Sequence, residues 1–150
     1  MNYAGGKYLT FNLEEEVYAI PILKVKEIIG IMDITEVPGM PEFIKGVINL
    51  RGRIIPVLDL RVRLGIAAKE YNKRTCIIVV DLPEGKRSRV MGVIVDTVAE
   101  VVNILAAEIE KPPGYSSDLG SDYIEGIGKI KGKIIILLNI EKILREKTLS

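Results

Sequence analysis

One segment of this chain occurs twice. Residues 41–64 read PEFIKGVINLRGRIIPVLDLRVRL and residues 121–144 read SDYIEGIGKIKGKIIILLNIEKIL, at a constant offset of 80. Gly46, Gly52, Ile54, Ile55, Leu58 and Leu64 recur as Gly126, Gly132, Ile134, Ile135, Leu138 and Leu144. Phe43, Ile44, Arg51 and Asp59 return as Tyr123, Ile124, Lys131 and Asn139. Turns, apolar faces and helix caps kept at one spacing describe a duplicated folding unit, hence two similar lobes. A weaker match at an offset of 73, Leu23–Ile31 on Asp96–Ile104, carries the duplication further back. The change of offset puts extra residues between Ile104 and Tyr123. There, residues 111–117 read as a long exposed loop.

Local patterns fill in the lobes. Leu9, Phe11 and Leu13 alternate as in a half-buried strand. Glu14–Glu16 form a charged turn, and Val17–Ile20 a return strand. Residues 22–29 suit a short helix or a strand equally. Phe43–Leu50 and Ile54–Leu58 read as a hairpin across Arg51-Gly52-Arg53. Pro56 cannot donate to a ladder, so its strand is expected at a sheet edge or to end early. Asp59 and Asn139 are expected as N-caps of short helices, with Gly65 as a stop. Thr75–Leu82 and Val90–Val95 read as opening strands of the second lobe, joined through residues 83–89. Lobe 1 is therefore expected at about 15–66 and lobe 2 at about 74–140. The terminal segments could exchange between the lobes. Five short strands per lobe fit a small barrel, and apolar faces of the lobes are expected to pack on each other.

Composition narrows the function. The chain has 150 residues, no histidine and one cysteine, Cys76. The commonest general base is therefore missing, as are imidazole metal sites and a thiolate cage. Cys76 reads as a buried small hydrophobe. Among the acids, Glu27, Asp59, Asp81, Asp96 and Glu100 are candidates, but no pattern sets two of them in one pocket. Asp59 reads as a cap, Asp81 as a turn residue, and Asp96 and Glu100 as solvated. No glycine pattern matches a phosphate loop. Net charge is +1, so no global field favours nucleic acid or an anionic membrane. The longest aliphatic runs fall well short of the roughly 20 residues that span a bilayer. The N-terminus lacks signal-peptide order, and a cytoplasmic protein is expected.

Two features point to recognition instead. Arg51 and Arg53 flank Gly52, as Lys131 and Lys133 flank Gly132; these are charged hairpin tips or a recognition surface. Glu27 lies among Val25, Ile28 and Ile29, an apolar patch with one charge at its rim. Lys86-Arg87-Ser88-Arg89 reads as a solvated basic tip.

The sequence resembles the CheW family of bacterial chemotaxis coupling proteins over nearly its whole length. The resemblance rests on residues 22–28 (ILKVKEI), 43–52 (FIKGVINLRG), 56–61 (PVLDLR), 92–96 (GVIVD) and 135–143 (IILLNIEKI). It implies a mainly β fold of two tandem SH3-like five-stranded barrels with short helices and a C-terminal helix. It implies no catalysis, no cofactor and no metal. Two partners are implied: the regulatory domain of the chemotaxis histidine kinase, and the cytoplasmic tip of methyl-accepting chemoreceptors. With the receptors, it implies recruitment to membrane-bound arrays without membrane insertion. Val25, Glu27, Gly46 and Arg51 fall on positions tied to partner binding, with Asn49 among them. Lys111 and Tyr115 match loop positions of a second kinase contact. No kinase or response-regulator sequence accompanies the domain, which fits the free adaptor. The rival reading is a small-barrel protein that binds single-stranded nucleic acid through Arg51, Arg53 and Lys86–Arg89.

Overall fold

The computed structural model describes residues 5–67, 69–111 and 123–145. It is built from eleven strands and two short helices among these residues: β1 (Gly6–Leu13), β2 (Glu16–Pro21), β3 (Val25–Gly30), β4 (Ile44–Leu50), β5 (Arg53–Asp59), α1 (Leu60–Arg63), β6 (Cys76–Glu84), β7 (Arg87–Val95), β8 (Thr97–Ile104), β9 (Ile109–Glu110), β10 (Ile124–Ile130), β11 (Lys133–Leu138) and α2 (Ile140–Leu144). The ambiguous stretch after Pro21 resolves as a single 3₁₀ turn, Ile22–Lys24, followed by β3. The segment 83–89 is not a loop. β6 and β7 run on to Glu84 and Arg87 and leave only Gly85 and Lys86 as the turn.

The strands fall into a five-stranded sheet, β3-β6-β7-β5-β4, and a six-stranded one, β8-β1-β2-β11-β10-β9. The chain divides accordingly into two mainly β, SH3-like units. One holds Leu23–Val98; the other draws on both chain ends, up to Ile22 and from Ala99 onward. The sequence split at 66–74 apportions the strands differently. β6 and β7 join β3–β5, because β5 pairs with β7 in parallel from Val57↔Gly92 to Asp59↔Ile94. The first hairpin joins the second copy of the repeat through an equivalent parallel pair, Ile135↔Val17 to Leu137↔Ala19. Each unit takes one hairpin of the repeat and one hairpin that lies outside it.

Each unit has its own apolar cluster. In the first, Ile48, Ile55, Val57, Ile77, Val79, Val90 and Ile94 are buried together. In the second, Ala19, Ile104, Ile109, Ile135 and Leu137 are buried, with Tyr8, Val17, Val102 and Ile130 packed against them. The alternation along β10 (Ile124–Ile130) and β4 is identical, which is the repeat expressed as burial.

Pro56 corrects the expectation of an edge. β5 lies between β7 and β4, and β4 is the outer strand. The register sets Pro56 opposite Val47. Val47 uses both its N–H and its C=O on Thr35, at 2.9 Å each. The pair is therefore of the non-hydrogen-bonded kind, and the missing N–H of Pro56 removes nothing from β4.

Candidate functional site

In the unit formed by Leu23–Val98, the β4–β5 hairpin closes on two residues, Arg51 and Gly52, because Leu50 pairs with Arg53. Both take positive φ, 53° and 89°. This twist matches the flanking strands, and the glycine accommodates it without a Cβ. The Asn49 Oδ1 accepts a hydrogen bond from the Gly52 N–H at 2.8 Å, which fixes the turn. The turn in turn presents the Arg51 guanidinium to β3, where Nη2 donates to the Glu27 carboxylate. Glu27 is partly covered, with 26% of its side chain exposed, and Arg51 is largely open at 66%. Val25 sits half-buried on the same strand, across a register shift at Val25/Glu27. On the same segments, Leu23 just before β3 is 93% exposed, Ile28 on β3 42% and Ile54 on β5 61%. Open aliphatics around a rim charge have the composition of an interface.

Four of the residues singled out in the sequence, Val25, Glu27, Asn49 and Arg51, therefore lie on the β3 strand and the β4–β5 turn. Gly46 does not share their exposure. It is buried at φ 154°, and a Cβ there would meet the Thr35 carbonyl oxygen at 2.2 Å. Its role is to let residues 34–35 lie against β4, so any effect on binding is exerted through that segment. Lys111 is exposed in the unit holding both chain ends. Tyr115 lies outside the described residues.

The second copy has the same turn with a different use. Lys131 and Gly132 again take positive φ, 50° and 78°. Lys129 replaces Asn49 and instead bridges Glu110 at 2.8 Å. The turn braced by Asn49, with its Arg51–Glu27 ion pair, belongs to the first copy.

A buried network supports that copy and is absent from the sequence reading. Asp59 caps α1, its Oδ1 accepting from the Arg61 N–H at 3.0 Å, as expected of it. The same carboxylate receives Arg61 Nε and Nη2 at 3.1 Å each, and the Tyr71 hydroxyl at 3.1 Å. Arg61 is only 1% exposed, and also donates to Asp96 Oδ1 at 3.1 Å and to the Lys69 carbonyl at 3.0 Å. Asp96 is thus engaged rather than solvated. Asp81 is a strand residue opposite Val90, not a turn residue. Burial would lower the Arg61 pKa, but the hydrogen bonds and charge of Asp59, then the charge of Asp96, hold it above the ordinary value. Burial first, then the charge of Asp59 and the hydrogen bond to it, push the Tyr71 phenol up to about 12. A groove of about 410 Å³ opens over this network, lined by Lys45, Asp59, Lys69, Glu70 and Tyr71. Asp59 at its base already accepts four hydrogen bonds, which leaves it poorly placed as a general base. The sequence signal for the network is a break in the repeat, since the offset of 80 sets Glu141 where Arg61 stands.

Two SH3-like units, one carrying a turn-borne ion pair among open aliphatics, define a small interaction scaffold. The comparisons with known proteins specify which. Residues 7–148 match the family model of the CheW-like domain, and the chain belongs to that family. It is 38% identical over 146 residues to the chemotaxis protein CheW of Klebsiella aerogenes, covering 97% of this chain and 86% of that one. It is 34% identical over 142 residues to the CheW of Thermotoga maritima, covering 95% and 89%. The protein FrzA of Myxococcus xanthus matches at 30% over 141 residues, covering 93% and 85%. The crystal structure of the scaffolding protein TtCheW from Thermoanaerobacter tengcongensis superposes with a TM-score of 0.85 at 37% identity, covering 97% of this chain and 96% of that one. These matches favour a chemotaxis scaffold over a nucleic-acid binder. No helix among the described residues is long and apolar enough to cross a membrane.

Proposed function

We propose that this chain is a non-enzymatic adaptor that couples methyl-accepting chemoreceptors to the chemotaxis histidine kinase, held in the cytoplasm and recruited to receptor arrays. Membership of a scaffold family supports the coupling role. The observation that carries the site is the Arg51–Glu27 ion pair. It holds a two-residue turn against β3, in segments that also carry the exposed Leu23, Ile28 and Ile54. Apolar contacts around it would supply affinity, and the charged pair would set register and orientation.

In this reading Val25, Glu27, Asn49 and Arg51 form the contact surface, and Gly46 keeps the neighbouring segment in place. The cytoplasmic tip of the receptor and the regulatory domain of the kinase are the partners. Lys111, with Tyr115, provides a second kinase contact. Signalling then shifts populations of the assembled states and makes or breaks no covalent bond.

Pull-down of the purified chain with a receptor-tip fragment and with the kinase regulatory domain tests this. Arg51→Ala is expected to weaken capture of at least one partner while the protein stays folded. Unchanged capture of both would remove Arg51 from the site.

A further inference from the structure

The segment between β3 and β4 ends in a turn that the coupling surface does not use. Pro38 followed by Gly39 at φ 85° is the signature of a type II turn, with Val37 and Met40 at its corners. The base of this turn is tied twice. Thr35 exchanges both backbone bonds with Val47, and the Ile44 N–H donates to the Pro41 carbonyl at 2.9 Å. The Thr35–Val47 pair is antiparallel, so the chain beyond Thr35 runs toward the start of β4. The turn therefore lies at one end of β4, and Arg51 follows the other.

Val37, Pro38 and Met40 are exposed and Pro41 is half-buried, so apolar residues adjoin on both sides of Gly39. Glu36 and Glu42 flank them, both exposed. From Asp33 to Glu42 the chain has three carboxylates and no base, in a protein whose total charge is +1. Lys45, the next base along the chain, lies over the Tyr71 ring at 5.7 Å. Single exposed aliphatics are ordinary on a surface, but a pair at the corners of one fixed turn forms a patch. An apolar centre with a charged rim has the anatomy of a contact surface. Two prolines and the backbone ties hold it in one shape beforehand, which reduces the ordering that binding requires.

We infer that this turn docks on an amphipathic helix of a partner protein that carries lysine or arginine beside its apolar stripe. The corners of a β-turn lie within about 7 Å of each other at Cα, and residues three or four apart on a helix stand about 5–6 Å apart at Cβ. One apolar pair of that helix can therefore meet Val37 and Met40 together, with its basic neighbours facing Glu36 and Glu42. The sign of the charge turns away nucleic acid and anionic lipid. Val25, Glu27, Asn49 and Arg51 take no part, so this docking and the coupling surface proposed above can fail separately. No variant in the test touches Gly46, which seats residues 34–35 in both readings.

The test titrates the full chain, labelled for NMR, with a short helical peptide that has leucine along one stripe and lysine on either side. Two further probes are the same peptide with glutamate for lysine and with serine for leucine. The leucine–lysine peptide is expected to shift the amides of Glu36, Val37, Gly39, Met40 and Glu42. Its affinity should fall as salt rises from about 50 to about 300 mM. Val37→Ser with Met40→Ser should weaken it about tenfold. Glu36→Gln with Glu42→Gln should weaken it about threefold, as rim charges do. Both double variants change exposed positions and should keep the melting temperature, and Arg51→Ala should leave peptide binding unchanged. Absence of shifts at the turn, full affinity in both double variants, equally tight binding of either control peptide, or loss of binding in Arg51→Ala would overturn the inference.

Discussion

Arg61 and Asp59 stand two residues apart in the chain and meet as a bidentate pair, Nε on Oδ1 and Nη2 on Oδ2, both at 3.1 Å. Separations of 12 and 35 residues are bridged by the same two side chains, because Tyr71 and Asp96 complete the network. Removing the cation strands a buried carboxylate. Arg61→Ala is expected to cost about 3–5 kcal/mol in urea unfolding. Replacing both charges, Asp59→Asn with Arg61→Met, should cost less than the single change.

Tyr71 reports the same network by titration. An exposed tyrosine ionises near pH 10, whereas Tyr71 is held to about 12. A folded pKa above the unfolded one means stability that is full below about pH 10 and lost as pH rises through about 12. Burial also raises Tyr8 and Tyr18. The difference between wild-type and Tyr71→Phe absorbance titrations should therefore isolate one phenol ionising near pH 12. A difference curve centred near pH 10 would contradict the buried hydrogen bond.

Gly46→Ala places a methyl group on the Thr35 carbonyl oxygen. Overpacking of this kind costs about 1–3 kcal/mol, and the backbone atom it meets cannot rotate away. The expected result is a lower melting temperature, with exchange of the Thr35 and Val47 amides accelerated.

Arg51→Ala and Glu27→Ala should separate stability from binding. The pair is solvent-exposed on one side, so each change is expected to move unfolding stability by less than about 1 kcal/mol. Capture of partner should nevertheless fall in both variants. A loss of stability several times larger would recast the pair as a fold element.

What the sequence revealed was local or repeated. The hairpin at Arg51 and Gly52 and the caps at Asp59 and Asn139 follow from residue types a few positions apart, and all three form as read. Gly46 was marked by its recurrence as Gly126, but its reason, the Thr35 carbonyl, lies eleven residues away on an irregular segment. Glu27 and Arg51 were singled out separately, and only the fold puts one against the other. Arg61 passed unremarked, since an arginine on a four-residue helix reads as solvated until Tyr71 and Asp96 are brought over it. The allotment of β6 and β7 was hidden for a related reason. An offset of 80 is the same whichever sheet a hairpin joins, and parallel partners are set by burial rather than by turns.

The division of hairpins between the units also orders events during synthesis. Leu23–Val98 is contiguous, so one unit has all its strands once residue 98 has left the ribosome. The opening hairpin has waited since the start. Val17 finds its parallel partner only when Ile135 emerges, 118 residues later. At about 5–20 residues per second, that leaves an unpaired strand edge open for several seconds or more. Until the last hairpin closes that edge, the three like charges of Glu14–Glu16 oppose its pairing with the same edge of another chain.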